Sequence, residues 1–406
     1  MTASILNKSS HRLSVFIILS FCLICISACN DNSSSAGDIS NTEETSYQKT
    51  GEKVFHLDST MRFANQSLVL FNEDEQPKLS IFNQMNASVN YFDYESGELE
   101  SKVFFEREGP DGIGNIAHMG HFQTNKDSIF LFSPWESKVF LMDGNGKKID
   151  SYSLTPPGTK ESEKKYLGYY LETSPNSPVF KKDNDLYINV VNSGQLKSED
   201  GSLVFMIKLN LETKEKEYLE INQSILFDEF WGVLLPYAST AVIDDNRIIT
   251  SFAKNPKVSI SNIENPQSVI EEKELSSSFI GEFKPFPKKN SEHPNYGYSF
   301  LEINSETNKK AFYLGLFYST FEKHFFRVAL QERTEDQYAL GRDGMQYSIV
   351  ITDENFNKLA DLELPKGKYN MDMTFVNQYG LHLANREAYE NNEDQLVFDV
   401  YSPVNK

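Results

Sequence analysis

Short runs in which apolar residues alternate with polar ones, or continue unbroken for four or five places, recur through most of this sequence, and each ends at Asp, Asn or Gly. "SVNYFDYESGELESK" from 88, "KVFLMDGNGKKIDSY" from 138, "FMIKLNLETKEKEYL" from 205, "KVSISNIENPQSVIE" from 257 and "SIVITDENFNKLADL" from 348 share one plan. Each reads as a strand, a turn opened by Asp or Asn at the sixth place, and a second strand. The turn residues are Asp93, Asp143, Asn210, Asn262 and Asp353, and Asp399 in "LVFDVYS" stands as a sixth. A short polar side chain suits the position because it can bond the backbone just ahead of it and tolerates left-handed dihedrals.

Another strand precedes several of these hairpins and is itself opened by a turn residue: "DSIFLFS" from Asp127, "NDLYINVV" from Asn184, "NRIITSF" from Asn246 and "NQYGLHLA" from Asn377. Repetition of such a unit around the chain predicts an all-β protein built as a single β-propeller. The turn residues lie 50, 67, 52, 91 and 46 positions apart, which is more than a compact blade needs and implies long connections. Six blades account for the pattern. The widest interval holds "KKAFYLGLF" and "KHFFRVALQ", read as the inner and second strands of the fifth blade; counted as a blade of their own, they would make seven. "KVFHLD" at 53–58 is expected to pair with the last strands and close the ring, leaving no open sheet edge.

The N-terminus follows a different pattern. Lys8, His11 and Arg12 precede the uncharged run "LSVFIILSFCLICI" at 13–26, which is too short to cross a bilayer as a helix and reads as a secretory signal. Ile26-Ser27-Ala28-Cys29 then resembles the lipobox of bacterial lipoproteins, with cleavage between Ala28 and Cys29 and lipidation of the Cys29 thiol. The three cysteines are Cys22, Cys25 and Cys29, so cleavage would leave one cysteine and no disulfide. The Ser-, Asn- and acid-rich stretch at 30–50 is too poor in apolar residues to order itself and reads as a tether. The expected organisation is a signal peptide at 1–28, a lipidated tether at 29–52 and a propeller at 53–406.

Composition supports a folded body, with 39% hydrophobic and 13% aromatic residues including 30 Phe and 20 Tyr. The formal charge of -19, which becomes -21 once Lys8 and Arg12 are cleaved away, opposes nucleic-acid binding. The basic pairs are scattered and form no stripe.

Motifs for chemistry are sparse. "GIGNIA" at 112–117 matches a dinucleotide fingerprint on paper but leads into a strand instead of a helix, so nucleotide binding is set aside. Asp143-Gly144-Asn145-Gly146-Lys147 lacks the later glutamate of a calcium loop. His118 and His121 could share a metal on a helix, but Gly120 disfavours one and no third ligand lies nearby. Trp231, in "FWGVLLPYA", could present a plate for stacking on a sugar or peptide. No catalytic residue, metal or cofactor is expected.

"FEREGPDGIGNIAHMGHFQTNKDSIFLFSPWESKVFLMDGNGKKIDSYSL", "YSIVITDENFNKLADLEL" and "QYGLHLANREAYENNEDQLVFDVYS" together resemble a Bacteroidota family of propeller-like lipoproteins, the domain-of-unknown-function 4221 group, over roughly 53–404. The resemblance implies a lipoprotein anchored in the cell envelope, at the outer membrane foremost, and it assigns no catalytic residues. Three function classes stand: a module that binds or scaffolds a protein or glycan partner, an envelope hydrolase or lyase acting on glycan or peptide, and a structural subunit. The binding reading places the site on the long connectors at 107–126, 156–183, 222–240 and 275–298. These hold His118, His121, Trp231, Tyr237, His293 and Tyr296.

Overall fold

The computed structural model describes residues 45–62, 67–73, 75–155, 169–171, 173–192, 202–222, 231, 237–287, 289 and 297–405. The chain enters the body at strand β1 (Thr45–His56) and then lays down six antiparallel sheets in sequence order. Blade one is β2 (Leu68–Glu73), β3 (Gln76–Asn83), β4 (Ser88–Asp93) and β5 (Leu99–Phe104). Blade two is β6 (Gly120–Asn125), β7 (Ser128–Ser133), β8 (Lys138–Met142) and β9 (Lys148–Ser153). In blade three the inner position is shared by two short strands, β10 (Tyr169–Leu171) and β11 (Phe180–Lys182), both paired with β12 (Asp185–Asn192). β13 (Ser202–Asn210) and β14 (Lys216–Asn222) complete it.

Blade four is β15 (Ala238–Val242), β16 (Arg247–Phe252), β17 (Lys257–Asn262) and β18 (Asn265–Glu274). Blade five is β19 (Phe312–Ser319), β20 (His324–Leu330), β21 (Tyr347–Thr352) and β22 (Lys358–Glu363). Blade six takes β23 (Tyr369–Asn377), β24 (Gly380–Asn385) and β25 (Gln395–Asn405) from the end of the chain and β1 from its beginning. The result is a six-bladed propeller. Among the described residues, the long interval between Asn262 and Asp353 holds one inner pair of strands, two short α-helices and one 3-10 helix, and no seventh blade.

Both faces of every blade are covered by a neighbour, which is why several strands read as unbroken apolar runs. Phe71, Val89 and Tyr91 of blade one meet Ile129, Leu131 and Phe140 of blade two, and a comparable buried cluster fills each of the other five junctions. A fully buried cation is also built into this core. Arg327 on β20 is fully buried, lies 3.4 Å from the ring centre of Tyr313, and donates to Ser251 Oγ at 2.9 Å and to the carbonyls of Pro256 and Leu275 at 2.8 Å. Burial pulls its pKa down to about 9, against the opposing pull of Tyr313 and Glu274, and the carbonyl dipoles help to hold the charge.

Five of the predicted turn residues act as expected. Asp143 Oδ1 accepts from the backbone N–H of Asn145 and Lys147, Asn210 Oδ1 from Glu212 and Thr213, and Asp353 Oδ1 from Asn355 and Asn357. Asp93 and Asn262 make the same bond to Ser96 and Glu264. Asp399 does not. It lies inside β25 opposite Leu383 and Glu52, fully buried, because the outer partner of β25 comes from the other end of the chain and no turn is needed there.

The closing strand also begins earlier than expected. Thr45 pairs with Asn405, so the ladder covers residues 45–56 instead of starting at Lys53, and residues 45–52, expected to belong to the tether, are part of the strand. Tyr47 supplies the reason: it is buried, packs edge-on to Phe326 at 5.7 Å and bonds His324 Nδ1. One apolar anchor within a polar stretch is enough to extend the strand. Residues 1–44, with the proposed cleavage and lipidation sites Ala28 and Cys29, lie outside the described residues.

Candidate functional site: a plugged central channel

Strand direction gives the propeller two unlike ends. Inner strands all run the same way, so the connections between blades and the turns between second and third strands lie on one face, the connector face. Turns between first and second strands, and between third and fourth, lie on the other, the hairpin face. Among the described residues, the connector face carries the parts of the predicted long segments that join one blade to the next, together with α1 (Phe300–Lys309), α2 (Glu335–Ala339) and α3 (Arg386–Asn391). Ser299 caps α1 in a reciprocal box with Glu302, whose carboxyl is held down at about 2 by its bonds from Ser299 and Lys289.

The inner strand of blade three is broken where "SPNSP" places two prolines around Asn176 and Ser177. Proline has no N–H for a ladder, and the chain instead leaves the sheet between β10 and β11. This excursion crosses the channel. Asn176 Nδ2 donates to the Met371 carbonyl of blade six at 2.9 Å, and Ser177 Oγ to the Ala238 carbonyl of blade four at 3.2 Å. Its approach to blades two and five is close enough that a Cβ on Gly120 would stand 1.7 Å from Thr173 Oγ1, and one on Gly315 2.4 Å from Asn176 Oδ1. Gly120 and Ala238 open their strands, so the plug sits at the connector end of the channel.

On the hairpin side of the plug lies a cavity of about 320 Å³, bounded by residues 67–70, 121–122, 173–175, 178–180, 240–242, 316–318 and 374–376. All six blades contribute. The walls are Leu, Val, Phe, Pro and Tyr with Ser and Thr between them, and none of these residues is Asp, Glu, Lys or Arg. The titratable groups on the wall are His121 and Tyr318. Burial drives the His121 pKa down to about 3, so the ring is neutral, and its nitrogens meet Ser67 Oγ at 3.0 Å and Ser80 Oγ at 2.9 Å.

His121 therefore departs from the expectation of a loop contact. It is the second residue of β6, where strand alternation turns it into the junction with blade one. His118 does sit on the connector, exposed, in a left-handed conformation with φ of 58°. Its ring centre is 6.3 Å from that of Trp135, a residue the sequence reading passed over in favour of Trp231. Trp135 is 65% exposed in the turn between β7 and β8, and its Nε1 donates to the Ala117 carbonyl at 3.1 Å. The clue was available: in "SPWES" a tryptophan occupies a Pro/Ser turn, with no strand to bury it.

Trp231 is half-buried between β14 and β15, and Tyr237 packs against Ala253, Phe312 and Leu330 just before β15. His293 and Tyr296 lie outside the described residues. Among the described residues no group of three His, Cys, Asp or Glu could hold a metal ion, and no helix is long and apolar enough to cross a membrane.

A family model described as a domain of unknown function, DUF4221, matches residues 44–361. Among solved structures, a DUF4221 member from Bacteroides vulgatus superposes with a TM-score of 0.72 at 17% identity, covering 90% of this chain and 99% of that one. A protein from Bacteroides fragilis, provisionally described as exported, gives a TM-score of 0.51 at 11% identity, covering 90% and 97%. At such identities the likeness concerns the fold. No match was found among curated proteins.

Proposed function

The chain belongs to the DUF4221 family, and we propose that its propeller is a binding module of the cell envelope, anchored through Cys29 and recognising a protein or glycan partner on the connector face. The observation that carries this reading is the setting of Trp135. Its indole is fixed by a hydrogen bond at its edge while most of its surface is left in solvent, next to the exposed ring of His118. A rigid aromatic plate costs little entropy to dock, which is why such residues dominate interfaces. Met85, Phe279, Leu301 and Leu340 are further large apolar side chains exposed on connector-face segments, whereas Phe321 and Tyr379 stand on hairpin-face turns.

The direction of the closing strand supports the same arrangement. β1 starts beside Asn405, so the chain enters the propeller at the hairpin face, the end opposite to Trp135. The exported description of the Bacteroides fragilis protein agrees with an envelope location.

Two experiments test the reading. Cys29→Ala is expected to abolish lipid labelling and release the protein from the membrane fraction; unchanged partition would refute the anchor. A photo-crosslinking residue at position 135 in intact cells is expected to capture a discrete partner that the same residue at position 321 does not. Equal capture from both positions, or none from 135, would refute the recognition face.

A further inference from the structure

We propose that the cavity beneath the plug is a second binding site, open to the hairpin face, for an uncharged and largely apolar molecule of one or two fused rings. The site has a built end wall. Residues 173–179 are tied to blades four and six by the Ser177 and Asn176 bonds and rest against Gly120 and Gly315, so the channel is closed on the connector side. What is left is a blind chamber of about 320 Å³, at the lower end of the range for small-molecule sites.

The wall chemistry selects the ligand. Phe122, Phe180, Phe317, Tyr318 and Phe375, from four blades, are among the lining residues, which makes the wall largely apolar. No Asp, Glu, Lys or Arg lines the chamber, and His121 has both nitrogens engaged by serine hydroxyls. A charged ligand would lose its hydration there without meeting a counter-ion. Hydroxyl contacts are limited too: Thr240 already bonds Asn189 at 3.2 Å, and Thr374 the Met371 carbonyl at 3.0 Å. Phe321, 65% exposed on the turn between β19 and β20, adds apolar surface on the same face.

Indole serves as the neutral probe, with indole-3-acetate and tryptamine as its anionic and cationic counterparts, titrated calorimetrically into the full purified protein. Indole is expected to bind, and both charged probes to bind at least about tenfold more weakly. Val69→Trp and Val376→Trp, at half-buried wall positions, are expected to weaken indole by about tenfold or more while the protein still melts cooperatively. Trp135→Ala on the connector face should leave indole binding unchanged, which separates this site from the recognition face. Absence of indole binding, equal binding of the charged probes, or undiminished binding in both filled variants would overturn the proposal. If the filled variants do not melt cooperatively, a crystal of the wild type soaked with indole decides: density between β2, β6, β15, β19 and β23 supports the site, and density elsewhere or none overturns it.

Discussion

Blade five and the closing blade share a four-strand plan but are held together by different means. In blade five one continuous stretch supplies every strand, and Asp353 only has to bond the N–H groups of Asn355 and Asn357 to turn β21 into β22. In the closing blade no turn joins β25 to β1, and the register between the two chain ends is kept by side chains instead. Asp399 receives Lys49 from β1 at 2.9 Å, Lys368 at 2.8 Å, Tyr369 Oη at 2.7 Å and Asn385 Nδ2 at 3.1 Å. Burial would raise its pKa, but the bonds from Lys368, Lys49, Tyr369 and Asn385 outweigh it and keep the carboxyl below its ordinary range. A local turn needs only its own backbone; a seam between distant segments needs a buried network, because chain connectivity contributes nothing to its register.

The largest effect is expected from shortening the seam. A chain begun at Glu44 keeps all of β1, whereas one begun at Gly51 loses the pairs from Thr45 to Lys49, the Tyr47 anchor and the Lys49 partner of Asp399. Calorimetry should show the second melting far lower than the first, and equal melting would mean that the seam ends at Lys53 after all. Next comes Asp399→Ala, which leaves Lys49 and Lys368 facing a buried gap. Because both lysines reach solvent, the loss is put at about 3 kcal/mol in urea unfolding at pH 7, the low end for a broken buried pair. A loss no larger than that of a turn aspartate would erase the distinction between the two blades.

Acid should open the seams gradually. His121 lies between blades one and two, and His382 between blades six and one, where it meets Tyr94 Oη at 2.7 Å. Burial lowers their pKa values to about 3 and about 4, against an ordinary value near 6.5. Both are neutral in the fold and take a proton more readily once unfolded, so stability falls as pH drops below about 6.5 and continues to fall until the folded values are reached. At pH 5 each should cost about 2 kcal/mol relative to pH 7. Unfolding at the two pH values by wild type and His382→Phe checks this: the variant should lose the share of the decline that belongs to His382, about 2 kcal/mol, and an identical decline would remove His382 from the account. The smallest effect belongs to Asp353→Ala, at about 1 kcal/mol, since only exposed turn bonds are lost.

The hairpins, the inner and second strands of blade five and the closing role of residues 53–58 could all be read from residue order, because alternation and turn chemistry act over a few neighbouring positions. So could the placing of the connections between blades on one face, which follows from strand direction alone. Asp399 could not: its place in "LVFDVYS" looks like that of Asp353 in "SIVITDENF", and only the arrival of β1 from 350 positions away in the chain makes one a buried lock and the other a turn. The channel plug and the cavity beneath it belong to the same class. Asn176 finds Met371, and Thr173 finds Gly120, only after six blades have closed into a ring, since those contacts are set by packing between segments that carry no local signal for one another.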